Sequence, residues 1–294
     1  MNISLPSRFT RDTMYRFLGQ VISPDGTPAA KEIFFNFTRL TYIEPVGVTI
    51  LSNTLEWLDK RDVITGMTLP NNIGRLNCPI KYMDDSRFFL RYRGEALTRN
   101  ANVRETTRPL ELISYDRSYI WLEQTFIPWL SRRLEVRESS LSDIAVCIGE
   151  IFNNINDHSS EHIGCIYAQH YPKLSKVKIA ISDFGVGIPY SIQGRYPSLT
   201  DEEALAEAIK EGVSTQSTPG NRGAGLTNIT EAINANQGCV HIHSNAGIIT
   251  CSSGNTGIRI TSSTADGYYP GTLFEIILNT DNIYDENDEE EFVW

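Results

Sequence analysis

The apolar residues of the chain follow two periodicities, one typical of helices and the other of buried strands. In the N-terminal part, an amphipathic pattern predicts a helix over residues 9–22, and apolar residues at helical spacing predict another over residues 48–58. Short runs rich in β-branched and aromatic residues predict strands over residues 32–38 and 63–69. Strand, tight turn, helix and strand in this order predict a βαβ unit with a parallel strand pair.

The C-terminal part predicts a different kind of sheet. Helical periodicity covers residues 118–134, 141–157, 201–212 and 225–236. Strand patterns cover residues 109–115, 163–170, 177–183, 239–244, 248–252, 258–261 and 272–278. This order predicts an α+β sandwich, in which helices pack on one face of a mostly antiparallel sheet.

These patterns divide the chain into segments. We predict an α/β domain over residues 1–86, a linker over 87–107, a second domain over 108–280 and an acidic disordered tail over 281–294. The linker is polar and basic, which is compatible with contacts to nucleic acid or phosphate, but a solvated linker accounts for its arginines more simply.

The composition indicates a soluble two-domain protein and little more. The 294 residues carry a net charge of −10, which falls to −3 without the seven acidic residues from position 281 onward, so the acidity says little about a substrate. The sequence contains no apolar run long enough to span a membrane and no secretory signal pattern, which predicts a cytoplasmic protein. Five scattered cysteines without CxxC spacing are typical of reduced thiols and argue against a zinc site.

One predicted helix carries a row of oxygen-bearing side chains. Glu150, Asn154, Asp157 and His158 fall on one side of it because residues three or four apart share a face. Carboxylate and carboxamide oxygens in a row suit a hard cation such as Mg²⁺. The polar outer face of an amphipathic helix is the simpler alternative for this segment taken alone.

Two glycine-containing segments follow. Asp183 ends a buried strand and is followed by Gly185 and Gly187, which let the backbone approach a ligand, while the carboxylate can accept a hydrogen bond from an exocyclic amine such as that of adenine. Farther along, Gly220, Gly223 and Gly225 directly precede a helix, and amides of such a loop can hold phosphates. The spacing matches neither the Rossmann fingerprint nor a Walker loop.

Together with Gly271-Thr272 at the head of the last strand, these segments resemble the four ATP-binding boxes of the GHKL, or Bergerat-fold, ATPase superfamily. The resemblance covers about residues 109–279 and implies a Bergerat-fold α/β sandwich that binds ATP with Mg²⁺. It implies that Asn154 binds the metal, that Asp183 binds the adenine amino group and that Thr272 supports it. The remaining nucleotide contacts implied are those of Asp157, Gly185, Gly187, Thr215, Gly220, Gly223, Ala224, Gly225 and Leu226, and a mobile lid would span residues 189–220.

The resemblance also limits which activities are expected of this chain. Gyrase-like ATPases and anti-sigma-factor serine kinases, the type this half resembles most, carry a glutamate where this chain has Glu150. Such a glutamate can polarise a water or a serine hydroxyl. The five histidines lie in the ATPase-like half, and only about fifteen residues follow the last strand, so a histidine-kinase phosphoacceptor and a transducer domain are not expected. Two functions stay open: a slow ATPase or serine/threonine kinase, and a non-catalytic module whose lid responds to nucleotide.

The N-terminal half has a weaker resemblance, to STAS domains of the anti-anti-sigma type. Glu44-Pro45-Val46-Gly47 stands where that family commonly has Asp-Ser-Ser-Gly, so the phosphorylated serine is replaced. The resemblance implies a STAS-like module that binds a protein partner; an unrelated α/β domain is the alternative. We expect no membrane contact and no nucleic acid, and a homodimer is left open.

Overall fold

A computed structural model describes residues 1–73, 75, 78–112, 115–158, 163–210, 225–254 and 257–285. The fold is mixed α/β, with a parallel sheet in the N-terminal half and an antiparallel sheet in the C-terminal half. Within the described residues, no helix is both long enough and apolar enough to cross a membrane.

The N-terminal half is built around a three-stranded parallel sheet in the order β1-β3-β5. Its elements are β1 (Asn2–Ser4), β2 (Arg8–Phe9), α1 (Arg11–Val21), β3 (Glu32–Asn36), β4 (Tyr42–Ile43), α2 (Pro45–Asp59), β5 (Ile64–Thr68), α3 (Pro79–Asp85) and α4 (Phe88–Arg93). The predicted βαβ unit is confirmed, because β3 and β5 pair in parallel and α2 connects them. The short β2 and β4, which also pair in parallel, were not expected from the sequence pattern.

The C-terminal half forms a five-stranded sheet in the order β6-β7-β8-β10-β9, in which every neighbouring pair is antiparallel. Its elements are β6 (Thr107–Leu112), α5 (Tyr115–Trp121), a π-helical turn (Leu122–Phe126), α6 (Ile127–Leu134), α7 (Ser142–His158), β7 (Ile163–Tyr171), β8 (Lys176–Phe184), α8 (Gly187–Gln193), α9 (Asp201–Ala208), α10 (Gly225–Asn236), β9 (Cys239–Gly254) and β10 (Gly257–Asn279). The predicted mostly antiparallel sheet is thereby confirmed.

The last two strands are longer than the four short strands that the pattern predicts, and β9 reverses direction within its length. Asn245 has a left-handed backbone (φ 53°), and Thr250 Oγ1 returns to 2.9 Å from His241 Nδ1. The amide of Ser253 also donates to the carbonyl of Gly238. Residues nine positions apart in a straight strand would be about 30 Å apart. Each predicted short strand therefore corresponds to one straight segment of a folded-back ribbon.

Both faces of the antiparallel sheet are covered. One face carries the helices α6, α7, α8, α9 and α10 of the same half, and their apolar side chains form one core with the sheet. The other face carries the N-terminal half, whose core includes Tyr167, Phe184, Tyr269 and Leu273 from the sheet. The strand β7 is accordingly buried along almost its whole length. The expected helices on one face are present, and the opposite face is covered by the other half of the chain.

The segment predicted as a linker, residues 87–107, contributes to the N-terminal core. It contains α4, and both Phe88 and Phe89 are fully buried. The start of the predicted acidic tail also makes contacts, because Asp285 accepts hydrogen bonds from the amide of Arg137 (2.7 Å) and the hydroxyl of Ser140 (2.8 Å). Residues 286–294 lie outside the described part of the chain.

Candidate functional site

The candidate site is centred on Asp183, near the end of β8. Its side chain is 1% exposed, and one carboxylate oxygen accepts a hydrogen bond from the amide of Thr272 at 3.0 Å. The other oxygen, Oδ2, is buried and has no hydrogen-bond partner among the described residues. Burial raises the pKa of Asp183 to about 8. A buried carboxyl group with an unsatisfied oxygen is costly to a fold, which points to a ligand that would supply the missing hydrogen-bond partner.

The backbone around Asp183 needs glycine at two of the positions singled out from the sequence. Gly187 has a φ of 78°, and a Cβ there would lie 2.6 Å from Asn245 Oδ1 and 2.8 Å from Ser244 Oγ. Gly271 has a φ of 136°, and a Cβ there would lie 2.4 Å from the carbonyl oxygen of Asp183. Only glycine permits both conformation and close approach at these positions. Gly185 has an ordinary role, donating its amide to the carbonyl of Pro270 at 3.0 Å.

Thr272 lies directly opposite Asp183 in the β8–β10 register, as the resemblance implied for a supporting residue. Its hydroxyl is 3.0 Å from Ser244 Oγ, and the hydroxyl of Ser244 donates to the carbonyl of Gly271 at 2.8 Å. Because that hydroxyl has a single proton, Thr272 must be the donor to Ser244. The Thr272 oxygen therefore keeps acceptor capacity beside the Asp183 carboxyl group.

Two residues of this cluster were missed in the sequence. Ser244 accepts the amide of Ile188 at 3.0 Å, and Asn245 donates to the carbonyl of Val186 at 3.1 Å. Asn245 Oδ1 is buried without a partner among the described residues. A Ser-Asn pair ending one arm of a strand is a weak signal by itself. Only the reversal of β9 at Asn245 brings the pair next to the turn after β8.

The helix α7 approaches Asp183 from the side of the core. A Cβ on Gly164 of β7 would contact both Ile155 Cγ2 (3.6 Å) and the Cβ of Asp183 (3.7 Å), so the C-terminal part of α7 lies beside the end of β8. Glu150 is one turn before Asn154 on this helix and is partly buried. The backbones of Asn154 and Asp157 are helical as predicted, and their side chains lie outside the described part of the chain.

The glycine-rich segment can be followed only in part. Thr215, Gly220, Gly223 and Ala224 lie outside the described residues. Gly225 and Leu226 are the first two residues of α10, which confirms that this segment leads directly into a helix. The helices α10 and α7 pack against each other, and Ile229 and Ile233 are buried in the same core as Ile151. The C-terminal end of the segment predicted to hold phosphate and the residue predicted to bind the metal are thus on neighbouring helices.

The described part of the predicted lid, residues 189–210, forms two helices that pack on β9. Asp201, the first residue of α9, accepts the amide of Ala246 at 3.0 Å and the side-chain amide of Gln193 at 3.0 Å. Glu202 accepts hydroxyls from Ser262 and Thr264. Thr200 and Glu203 form a capping box at the start of α9, whose first turn is acidic.

The two halves of the chain contact each other through buried polar groups. Asn53 of α2 donates to Ser182 Oγ at 2.9 Å, and Cys165 Sγ lies 3.2 Å from Asn53 Oδ1. At the start of α2, Glu44 forms an ion pair with Lys178 of β8 at 2.8 Å. Ser182 immediately precedes Asp183, and its side chain points to the opposite face of the sheet.

No protein-family model matches the chain, and the search of curated proteins finds no match.

Proposed function

We propose that the C-terminal half binds ATP with Mg²⁺ in a Bergerat-type site centred on Asp183. The observation that carries the proposal is the buried carboxyl group, with one oxygen on the Thr272 amide and the other without a partner. An adenine amino group would donate to the free oxygen, and the Thr272 oxygen would accept from a bridging water. Gly185 and Gly187 would border the base, and Ser244 and Asn245 would join them.

In this proposal, α7 binds the metal and the start of α10 binds the phosphates. Asn154 would bind Mg²⁺, with Asp157 on the same helix, and the amides at the start of α10 and before it would hold the phosphates. The packing of α10 against α7 supports this assignment because it brings the two segments together. Glu150 would polarise the attacking water or a partner's serine or threonine hydroxyl.

The N-terminal half would act as a STAS-like pairing module in this proposal. Its parallel sheet and its α1 and α2 helices support that assignment. Glu44, the first residue of the turn in which the family's serines are replaced, is held by Lys178, so this end of the module contacts the chain's own ATPase-like half. A non-catalytic, nucleotide-gated module is the second candidate, favoured by the contact between α2 and the strand that carries Asp183.

The test of nucleotide binding compares Asp183→Asn with the wild type by thermal shift and titration calorimetry. An asparagine carries an NH₂ group in place of one carboxylate oxygen, so it cannot accept at both of the positions that face the Thr272 amide and the adenine amino group. We expect the ATP-induced stabilisation to be lost, and the preference for ATP over ITP, about 10- to 100-fold in the wild type, to disappear. Asp25→Asn, an exposed turn residue, is the matched control. Equal stabilisation of wild type and Asp183→Asn would refute the adenine assignment.

A single-turnover assay with labelled ATP separates the two candidates. Phosphate release or protein labelling that is lost in Glu150→Gln while ATP binding persists supports the enzyme. Tight binding by the wild type without either product supports the gated module.

A further inference from the structure

A cluster of arginines lies where the helix α6 packs beside the beginning of β6. Trp129 of α6 donates its indole N–H to the carbonyl of Glu105 at 3.0 Å, which holds the helix against this end of the sheet. Arg108 of β6 stands opposite Ala168 in the β6–β7 register, and Ala168 belongs to the core beneath the helices, so Arg108 lies on the helix-covered face. We call the following residues of β6, α6 and the turn after α6 the α6 arginine surface: Arg108, Arg132, Arg133 and Arg137.

The positive charge of this surface is not neutralised by the described part of the chain. Arg108 and Arg132 form no ion pair among the described residues, and Arg133 pairs at 3.6 Å with Glu105, whose side chain is 90% exposed. Burial lowers the pKa of Arg108; Glu111 opposes this shift, and the nearby Arg132 adds to it. Guanidinium groups therefore lie close together here without a fixed counter-charge.

Two of these guanidinium groups also lack an acceptor on their inner side. Arg108 Nε and Arg133 Nε are buried and have no hydrogen-bond partner among the described residues. Because an arginine carries only donors and stays protonated, both N–H groups are unsatisfied at any ordinary pH. Both side chains are only partly buried, so the outer nitrogens can be reached from the surface. Carboxylates bound there would offset the charge that the interior leaves unpaired.

The chain brings an acidic segment of its own to this surface. After α6 the backbone turns back at Glu135, which has a φ of 59°, and the amide of Val136 donates to the carbonyl of Ser131 at 3.2 Å. Arg137 therefore begins beside the end of α6. Its amide donates to Asp285 at 2.7 Å, and its Nε lies 4.0 Å from the same carboxylate. Asp285 is thus fixed at one end of the α6 arginine surface.

The residues that follow Asp285 have the complementary charge. Residues 286–294 contain five acidic residues (Glu286, Asp288, Glu289, Glu290 and Glu291) and neither lysine nor arginine. Nine extended residues reach about 30 Å, whereas the eight residues of α6 span about 12 Å. From Asp285, the segment is therefore long enough to pass along α6 to Arg132 and Arg108.

We propose that residues 286–291 dock on the α6 arginine surface, where their carboxylates pair with Arg132, Arg108 and the outer nitrogens of Arg133. A segment tethered at Asp285 is present at an effective concentration on the order of 1 mM, which favours this contact over that of a separate molecule. Another acidic molecule, such as a nucleic acid, has to displace it. The contact involves neither Asp183 nor α10, so it does not rest on the proposed ATP site.

A full-length variant with a neutral tail tests the contact. It carries Glu286→Gln, Asp288→Asn, Glu289→Gln, Glu290→Gln and Glu291→Gln. In ¹⁵N-arginine-labelled protein without nucleotide, the Nε–H signals of Arg108 and Arg132 should differ between this variant and the wild type. The signal of Arg39, an exposed arginine of the N-terminal half, should not differ. Raising the salt concentration from about 0.05 M to about 1 M should move the wild-type signals toward those of the variant, because salt screens exposed ion pairs.

A peptide with the sequence of residues 286–294 tests the same contact in trans. Added to the neutral-tail variant, it should restore the wild-type signals of Arg108 and Arg132 in a saturable way, with a Kd on the order of 1 mM. The same peptide with glutamine and asparagine in place of its acids should not. Adding Arg132→Gln to the variant should weaken peptide binding about two- to fivefold, as expected for an exposed ion pair, and Arg39→Gln should leave it unchanged.

Several results would overturn the docking of this segment. They are identical Arg108 and Arg132 signals in the wild type and the neutral-tail variant, equal binding of the acidic and the neutral peptide, and equal peptide affinity with and without Arg132→Gln. Binding of the wild type to a single-stranded oligonucleotide as tightly as the neutral-tail variant binds it would also do so, because the surface would then be open to a separate acidic partner.

Discussion

Binding of ATP at Asp183 should release a proton. In the free protein, burial raises the pKa of this carboxyl group to about 8, so at pH 7 only about one tenth of the molecules carry the carboxylate. An adenine amino group donates to the carboxylate and lowers its pKa in the complex. Ionising the group first costs about 1.4 kcal/mol at pH 7, since each pKa unit corresponds to that energy. The affinity for ATP should therefore rise about tenfold from pH 7 to pH 9 and then level off.

Titration calorimetry measures the released proton directly. Binding heats in two buffers of different ionisation enthalpy should give about 0.9 protons released at pH 7 and about 0.1 at pH 9. Magnesium-saturated ATP keeps its phosphates ionised over this range, so the proton comes from the protein. Asp183→Asn, at concentrations high enough to detect residual binding, should release no proton. A Kd that stays constant from pH 7 to pH 9, with equal heats in both buffers, would refute the proposed role of the Asp183 carboxylate.

Three further predictions concern the free protein. Because burial raises the pKa of Asp183 in the folded state, the stability that its protonation contributes is complete below pH 4 and is lost as the pH rises to about 8. Between these pH values, the free energy of unfolding of Asp183→Asn in urea should therefore rise by up to about 6 kcal/mol relative to that of the wild type. Asn53→Ala should cost about 2–4 kcal/mol, because it leaves Ser182 without its buried donor and opens a void, whereas the exposed Asn100→Ala should cost almost nothing. Gly187→Ala should have a lower melting temperature than the wild type, because Gly187 has a positive φ and an alanine Cβ there would clash with Asn245. A melting temperature equal to or above that of the wild type would contradict this strain.

The sequence predicted those elements whose pattern is local and regular. The strand pattern before Asp183 and the helical spacing around Glu150 depend on neighbouring residues alone, and both elements are present in the structure. Gly271 was expected at the head of the last strand, whereas it lies inside β10, next to the register shift between Tyr269 and Thr272. The close positions of Asp183 and Thr272 could be expected only through the family resemblance, since 89 residues separate them.

Other features depend on tertiary contacts that no local pattern carries. The segment with Phe88 and Phe89 has the polar composition of a linker, yet the two rings are buried in the N-terminal core. The reversal of β9 depends on a single left-handed asparagine, Asn245, which the alternation of apolar residues does not distinguish from a strand end. The burial of His243 under α1 follows from how the two halves pack.

The alternation of side chains along β8 and β9 connects the N-terminal half with the proposed adenine site. Ser182 and Asp183 are neighbours on β8, and His243 and Ser244 are neighbours on β9, so each strand presents one residue to the N-terminal half and the next to the proposed adenine site. A strand is stiff over two residues, so a shift of α1 or α2 relative to the sheet changes the position of the Asp183 and Ser244 backbones. Conversely, a ligand held by those backbones favours the arrangement in which α1 and α2 are docked. We therefore expect nucleotide binding on one face of this sheet to be coupled to docking of the N-terminal half on the other.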